Sequence, residues 1–202
     1  MVEEELPRPA RRRLQPEERR EELLDSAFAV VLHRGLEGLT MEGLAAEAGV
    51  NKALPYHYFA TRDGVLVALT DREYTRILEA FEAAASKAVG LEAKLQTLLE
   101  SWIDLGLQWR VIRSLETVRP RFPVLDGTLR GYEVRIAAVI AGVFVTERGM
   151  RADKALMVAS AIIGSAQGIV WARESTGWTR KRTVSTWLAM SMAGVDALSS
   201  PA

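Results

Sequence analysis

The stretch LTMEGLAAEAGVNKALPYHYF, residues 39–59, decides the fold. Thr40 precedes a helical run and can cap it, its hydroxyl accepting from a free backbone N–H. Leu44, Ala45 and Ala48 are the inward positions of that run, and Ala45 is small where a second helix must cross close by. Gly49 supplies a turn in which a positive φ costs little. Val50 then plugs the core, and Asn51 can cap the next helix. Two short helices, over 41–48 and 52–59, meeting at a steep angle across a glycine turn make a helix-turn-helix, whose second helix enters a DNA major groove. Asn51, Lys52, Ala53, Leu54 and His57 are the groove-facing candidates. Tyr56 and Tyr58 can donate to phosphates, and Phe59 anchors the helix end. Arg62 follows in Thr61-Arg62-Asp63, where free N–H groups at a helix start favour the same anion.

Outward from this stretch, Ala, Leu, Glu and Arg dominate, apolar residues recur at spacings of three and four, and strand signals are almost missing. The pattern predicts an all-α protein of about nine helices. A first helix starts near Pro16, followed by Glu17 and Glu18 and ended by Gly35. A long helix is expected over 63–89 and another over 91–109, followed by a shorter segment to 118. Arg119-Pro120-Arg121-Phe122-Pro123 must be a break, because proline lacks a donor and restricts its predecessor. Helices over 124–148, 152–175 and 179–198 complete the chain.

With 202 residues, 49% of them hydrophobic, the chain can bury a sizeable core. Cysteine is absent, which excludes disulfides, a thiolate nucleophile and cysteine metal sites. The start has no apolar segment of the secretory kind, and a cytoplasmic location is expected. Net charge is zero, but Arg8, Arg11, Arg12, Arg13, Arg19 and Arg20 oppose only Glu17 and Glu18. Residues 1–15 are read as a flexible basic arm, either a solvated tail or one that follows a phosphate backbone or enters a minor groove. Residues 155–172, ALMVASAIIGSAQGIVWA, carry no charge over a length that could span a membrane. Polar residues interrupt the segment and charges flank it. Ser160, Gly164 and Gly168 form one smooth stripe where another helix can approach. A buried or subunit-interface helix is the expectation, and no membrane partner.

The motif residues resemble the TetR family of bacterial transcriptional regulators. Gly35, Thr40, Leu44-Ala45, Ala48-Gly49-Val50, Tyr56, Tyr58-Phe59, Arg62 and Leu66 match that family's pattern in order, over about fifty residues. Two positions depart from it. Pro55 replaces an aliphatic residue about four residues into the second helix, where it should remove a hydrogen bond and bend or tighten the helix. Gly64 replaces a good helix former. The resemblance implies a DNA-binding domain over 16–62 and a ligand-binding and dimerisation domain over 63–202. It implies a homodimer on a pseudo-palindromic double-stranded operator, released by a small-molecule effector. Trp102, Trp109, Phe122, Tyr132 and Phe144 lie on helices that line the family's cavity, and an apolar or aromatic effector is expected. Asp104, Arg113 and Glu116 lie on the same helices and could meet a polar group. Ser160, Gly164, Gly168, Trp187, Leu188, Ser191 and Val195 suit the subunit interface.

An enzyme is the competing class. No triad order, HExxH, phosphate loop or paired-glycine fingerprint appears, so no catalytic residue, metal or cofactor is expected. His33 suits a helix C-terminus. A helical small-molecule-binding or scaffold protein without DNA binding is the remaining alternative, kept open by Pro55 and the zero net charge.

Overall fold

The computed structural model describes residues 15–199, which places the basic arm, except for Gln15, outside the described residues. Among the described residues there are nine α-helices and no strand. They are α1 (Pro16–Arg34), α2 (Met41–Ala48), α3 (Ala53–Phe59), α4 (Arg62–Lys87), α5 (Leu91–Asp104), α6 (Gly106–Val118), α7 (Asp126–Arg148), α8 (Ala152–Thr176) and α9 (Arg180–Ser199). The chain forms two compact units, and the boundary, between Val65 and Leu66, falls inside α4.

In the first unit, α1 starts where expected, with Pro16 in its first turn and the Gln15 N–H donating to Glu18 at 3.0 Å. Its buried stripe of Leu23, Leu24, Ala27, Val30 and Val31 packs with Leu36, Leu39, Leu44, Ala45 and Phe59 into one apolar core. Arg34 at the end of α1 pairs with Glu47 of α2.

The second unit is built from the rest of α4 and from α5–α9. Phe81, Trp102 and Trp109 form its aromatic centre, the two indoles stacked 4.1 Å apart. Two boundaries differ from the sequence reading. The helix expected over 91–109 breaks after Asp104, and a new helix starts at Gly106. Asp104 is held by Arg180 of α9 through a two-point pair, a long-range partner that periodicity does not reveal. The helix expected from 124 starts instead at Asp126, because Pro123–Leu125 first winds a tighter 3₁₀ turn.

α8 is not buried all round. Ala155, Val158, Ala159, Ile162 and Ala166 face the core, whereas Met157 is 73% and Trp171 65% exposed. The helix is long and apolar enough to cross a membrane by length and composition alone, with 22% of its most apolar window buried.

Candidate functional site

The first candidate surface is the outer side of α2 and α3. Thr40 Oγ1 accepts from the Gly43 N–H at 2.9 Å, so the threonine caps α2 as expected. Gly49 takes the left-handed conformation, φ 61°, and the Val50 N–H reaches back to the Ala45 carbonyl at 3.0 Å. This closure satisfies the carbonyls left over at the helix end. Asn51 Oδ1 then accepts from the Ala53 N–H at 2.9 Å. The N-cap position of α3 is Lys52, which makes no side-chain cap bond; Asn51 stands one residue before it, and its side-chain oxygen is already engaged.

Pro55 has a simpler place than the sequence suggested. α3 begins at Ala53, so Pro55 is the third helical residue. Backbone N–H groups of a first helical turn have no partner within the helix. The proline removes no hydrogen bond there, and it is buried.

Lys52, Ala53, Tyr56 and His57 are exposed, and Leu54 and Tyr58 are half-buried. The His57 ring stands edge-on to Tyr58 at 5.2 Å. The Tyr56 hydroxyl donates to Glu42 at 3.2 Å. Desolvation, followed by the Glu42 charge, raises its pKa above the ordinary tyrosine value.

Arg62, expected to meet a phosphate, has a different attachment. Its Nε donates to the Leu39 carbonyl at 2.6 Å and its Nη2 to the Leu36 carbonyl at 2.7 Å. It ties the start of α4 to the segment before α2. Thr61 Oγ1 accepts from the Gly64 N–H at 3.1 Å and caps α4. Between α3 and α4, Ala60 has φ 58° and ψ −45°, and the Thr61 N–H closes onto the Phe59 carbonyl at 2.6 Å. This is a strained γ-turn with positive φ at a non-glycine residue. The Phe59 carbonyl oxygen also lies 2.1 Å from where a Cβ on Gly64 would sit. The second departure from the family pattern is thus dictated by the turn.

The second candidate site is a cavity of about 430 Å³ in the second unit. Tyr74 of α4, Trp102 of α5, Trp109 and Glu116 of α6, Glu133 of α7 and Gln167 of α8 line it. Trp102 and Trp109 were expected there. Glu116, named as a polar candidate, accepts from the Tyr74 hydroxyl at 2.9 Å. Three expected residues are placed elsewhere. Phe144 is fully buried in the core. Tyr132 stacks on Tyr74 at 5.0 Å and donates to Asp71 at 2.6 Å, and its hydroxyl also meets Thr75 at 2.9 Å. Phe122 precedes the 3₁₀ turn and does not line the cavity. Tyr74 was missed although it sits one turn before the core residues Ile77 and Leu78. Glu133 and Gln167 give no apolar signal and could not be found by periodicity. Arg113 lines a small crevice beside the cavity with Glu174, and Asp104 belongs to its pair with Arg180.

The expected interface residues divide. Ser160, Gly164 and Gly168 are exposed, and Ser160 also borders the cavity. No atom lies within 4 Å of a Cβ placed on either glycine. Trp187, Leu188, Ser191 and Val195 instead face the core of their own chain, and the Trp187 indole donates to Ser165 at 2.9 Å. The outward apolar residues of α9 are Met190 and Leu198, with exposed Gly194 between them.

Comparison with known proteins bears on both sites. Residues 23–69 match the sequence profile described as "Bacterial regulatory proteins, tetR family". An uncharacterized HTH-type transcriptional regulator in the dhlA 5′ region of Xanthobacter autotrophicus is 28% identical over 149 residues, 71% of this chain and 73% of that protein. Among solved structures, a TetR-like transcriptional regulator from Rhodococcus sp. RHA1 superposes with a TM-score of 0.72 at 21% identity, over 91% of this chain and 99% of that one. A protein from Saccharomonospora viridis, solved in complex with choline, superposes with a TM-score of 0.72 at 17% identity, over 89% of this chain and 96% of that one. At these identities the superpositions establish a shared fold.

Proposed function

The chain belongs to the tetR family of bacterial regulatory proteins, and on that premise we propose that it acts as a repressor released from its operator by a small molecule. The observation that carries the DNA-binding part is the α2–α3 unit. Thr40 caps its first helix, its turn is closed at Gly49, Asn51 holds the Ala53 N–H at the entry to the second helix, and Lys52, Ala53, Tyr56 and His57 remain exposed. In this reading Lys52, Ala53 and His57 meet base edges, while Tyr56 and Tyr58 position the helix on phosphates.

A single reader of this size covers one half-site. Two copies must lie about 34–36 Å apart to reach successive major grooves. We assign the dimer contact to the outward apolar residues Met157 and Trp171 of α8 and Met190 and Leu198 of α9, with Gly164 and Gly168 allowing close approach. This replaces the four α9 positions that face the core. It also gives α8's apolar surface a protein partner rather than a membrane. The effector occupies the α4–α8 cavity, a reading supported by the choline complex of a protein with the same fold. Such a regulator works in the cytoplasm and needs no catalytic group.

The test is a mobility-shift titration with DNA from the chain's own upstream region, alongside sedimentation of the free protein. The proposal expects a dimer that retards a pseudo-palindromic fragment and loses affinity steeply with salt. Lys52→Ala should relax base preference in a binding-site selection, and Trp171→Glu should give monomers with weak operator binding. A wild-type chain that is monomeric and binds no DNA would support the scaffold alternative.

A further inference from the structure

We propose that the α4–α8 cavity is completed by the second copy of the chain, with Trp171 of the partner subunit closing its rim at Ser160. This rests on the dimer contact assigned above and goes beyond it, because it makes the effector site one that a single chain holds only in part.

One wall of the cavity is α8, through Ser160, Ile163 and Gln167. Ile163 is half-buried, whereas Ser160 and Gln167 are exposed in the single chain. Residues three and four apart share a helix face, so both polar residues also border the outward stripe of α8. Ser160 lies three residues after Met157 and four before Gly164. Gln167 lies three after Gly164 and four before Trp171. The rim of the cavity and the edge of the outward stripe are therefore the same line of residues. Small-molecule sites bury most of their ligand's surface, and a cavity bordered by exposed residues along α8 needs a cover on that side.

The outward stripe is complementary to a copy of itself. Met157, 73% exposed, stands seven residues before Gly164, and Trp171, 65% exposed, seven residues after it. In a two-fold contact, if one residue meets a second, the second meets the first. Two antiparallel copies of α8 crossing at Gly164 thus set Trp171 of the partner subunit against Met157, and the reverse. A methionine sulfur against an aromatic ring is a favourable pairing. No atom lies within 4 Å of a Cβ placed on Gly164 or Gly168, so the two helices can cross closely there. An indole laid over Met157 also covers the next turn, where Ser160 borders the cavity. The area is adequate. α8 and α9 have 25 and 20 residues and share an apolar groove lined by Ile162, Ser165, Met190 and Leu198. Two outward faces about 37 and 30 Å long and about 10 Å wide offer roughly 700 Å², near the ~800 Å² per partner of a stable interface. Because the partner's Trp171 then borders the ligand site, ligand and dimer are linked: each tightens the other by the same factor.

The chain has no cysteine, so an introduced thiol reports on one position. Full-length Ser160→Cys and Trp171→Cys chains carrying different tags are mixed and mildly oxidised. They should form a covalent heterodimer, and neither should cross-link to its own copy, since each position lies turns away from its counterpart across the two-fold axis. Ser160→Cys and Gln167→Cys are also labelled with N-ethylmaleimide, with Ser86→Cys, at an exposed position of α4, as the control. The thiols introduced at 160 and 167 should react at least tenfold more slowly in the dimer than in monomers obtained by dilution or by Trp171→Glu. The control should react alike in both. Circular dichroism melts and sedimentation of every variant exclude a folding defect. A dimer whose thiols at 160 and 167 react as fast as the control, or in which 160 does not cross-link to 171, would overturn this inference and leave the dimer and repressor readings standing. A wild-type chain that sediments as a monomer would remove the dimer contact itself, and this inference with it.

Discussion

Replacing Arg62 with alanine separates two accounts of one side chain. The motif suggests that its guanidinium touches a phosphate; the structure attaches it to the Leu39 and Leu36 carbonyls at 2.6 and 2.7 Å. Hydrogen bonds from a charged donor contribute about 1.5–3 kcal/mol each, and the Leu39 carbonyl adds a desolvation cost, whereas the Leu36 carbonyl keeps the Leu39 N–H at 3.1 Å. The site is only part-buried, so water replaces some of what is lost. We therefore expect Arg62→Ala to destabilise the first unit by about 2–4 kcal/mol, a large share of the 5–15 kcal/mol typical of a domain. Urea unfolding followed by circular dichroism reads this directly. The DNA assay supplies the contrast. At a temperature where the variant is folded, its operator affinity should depend on salt with the same slope as the parent. A lost phosphate contact would instead reduce that slope by about 0.9. Wild-type stability together with a shallower salt slope would refute the structural assignment and restore the phosphate contact.

Three further outcomes follow from the same region. Gly64→Ala places a methyl group against the Phe59 carbonyl, where the available distance is 2.1 Å. The α3–α4 turn must move, and a loss of about 1–3 kcal/mol is expected in denaturant titrations. Ala60→Gly relieves a positive φ of 58° and should stabilise by about 0.5–1 kcal/mol, the glycine's extra chain entropy offsetting part of the 1–2 kcal/mol relieved; a lower melting temperature would argue against strain in the turn. Thr40→Ala removes the acceptor for the Gly43 N–H and should cost about 1 kcal/mol, with Thr40→Ser retaining most of the stability.

What could be read from the sequence was what local chemistry determines. Thr40 and Gly49 take their expected roles because a cap and a left-handed turn depend on neighbours a few residues away. The break at Gly106 was placed several residues late because apolar residues recur at spacings of three and four across it, at Leu98, Trp102, Leu105 and Trp109. Pro55 looked disruptive only while α3 was taken to start earlier. A one-residue shift in that start, within the ordinary uncertainty of helix ends, moves the proline into a turn where its missing N–H has no consequence.

The effector site was harder for a different reason. A period of 3.6 identifies residues that point inward, but not which of them border a void. Phe144 and Trp102 carry the same signal, yet the first is packed on every side and the second lines the cavity. The subunit surface fails on the same ambiguity. Trp187, Leu188, Ser191 and Val195 form a good apolar stripe, and it faces the core of its own chain. The outward set, Met190 and Leu198, lies on the same helix and resembles scattered surface residues until α8 is seen beside it.

The measurement that bears most directly on the account is the stoichiometry and footprint of the protein on its operator. Two chains should bind cooperatively to two half-sites about one helical turn apart, protecting them on the same face of the duplex. One chain per duplex, or protection without paired half-sites, would contradict the reading of residues 40–62 as one half of a symmetric DNA reader.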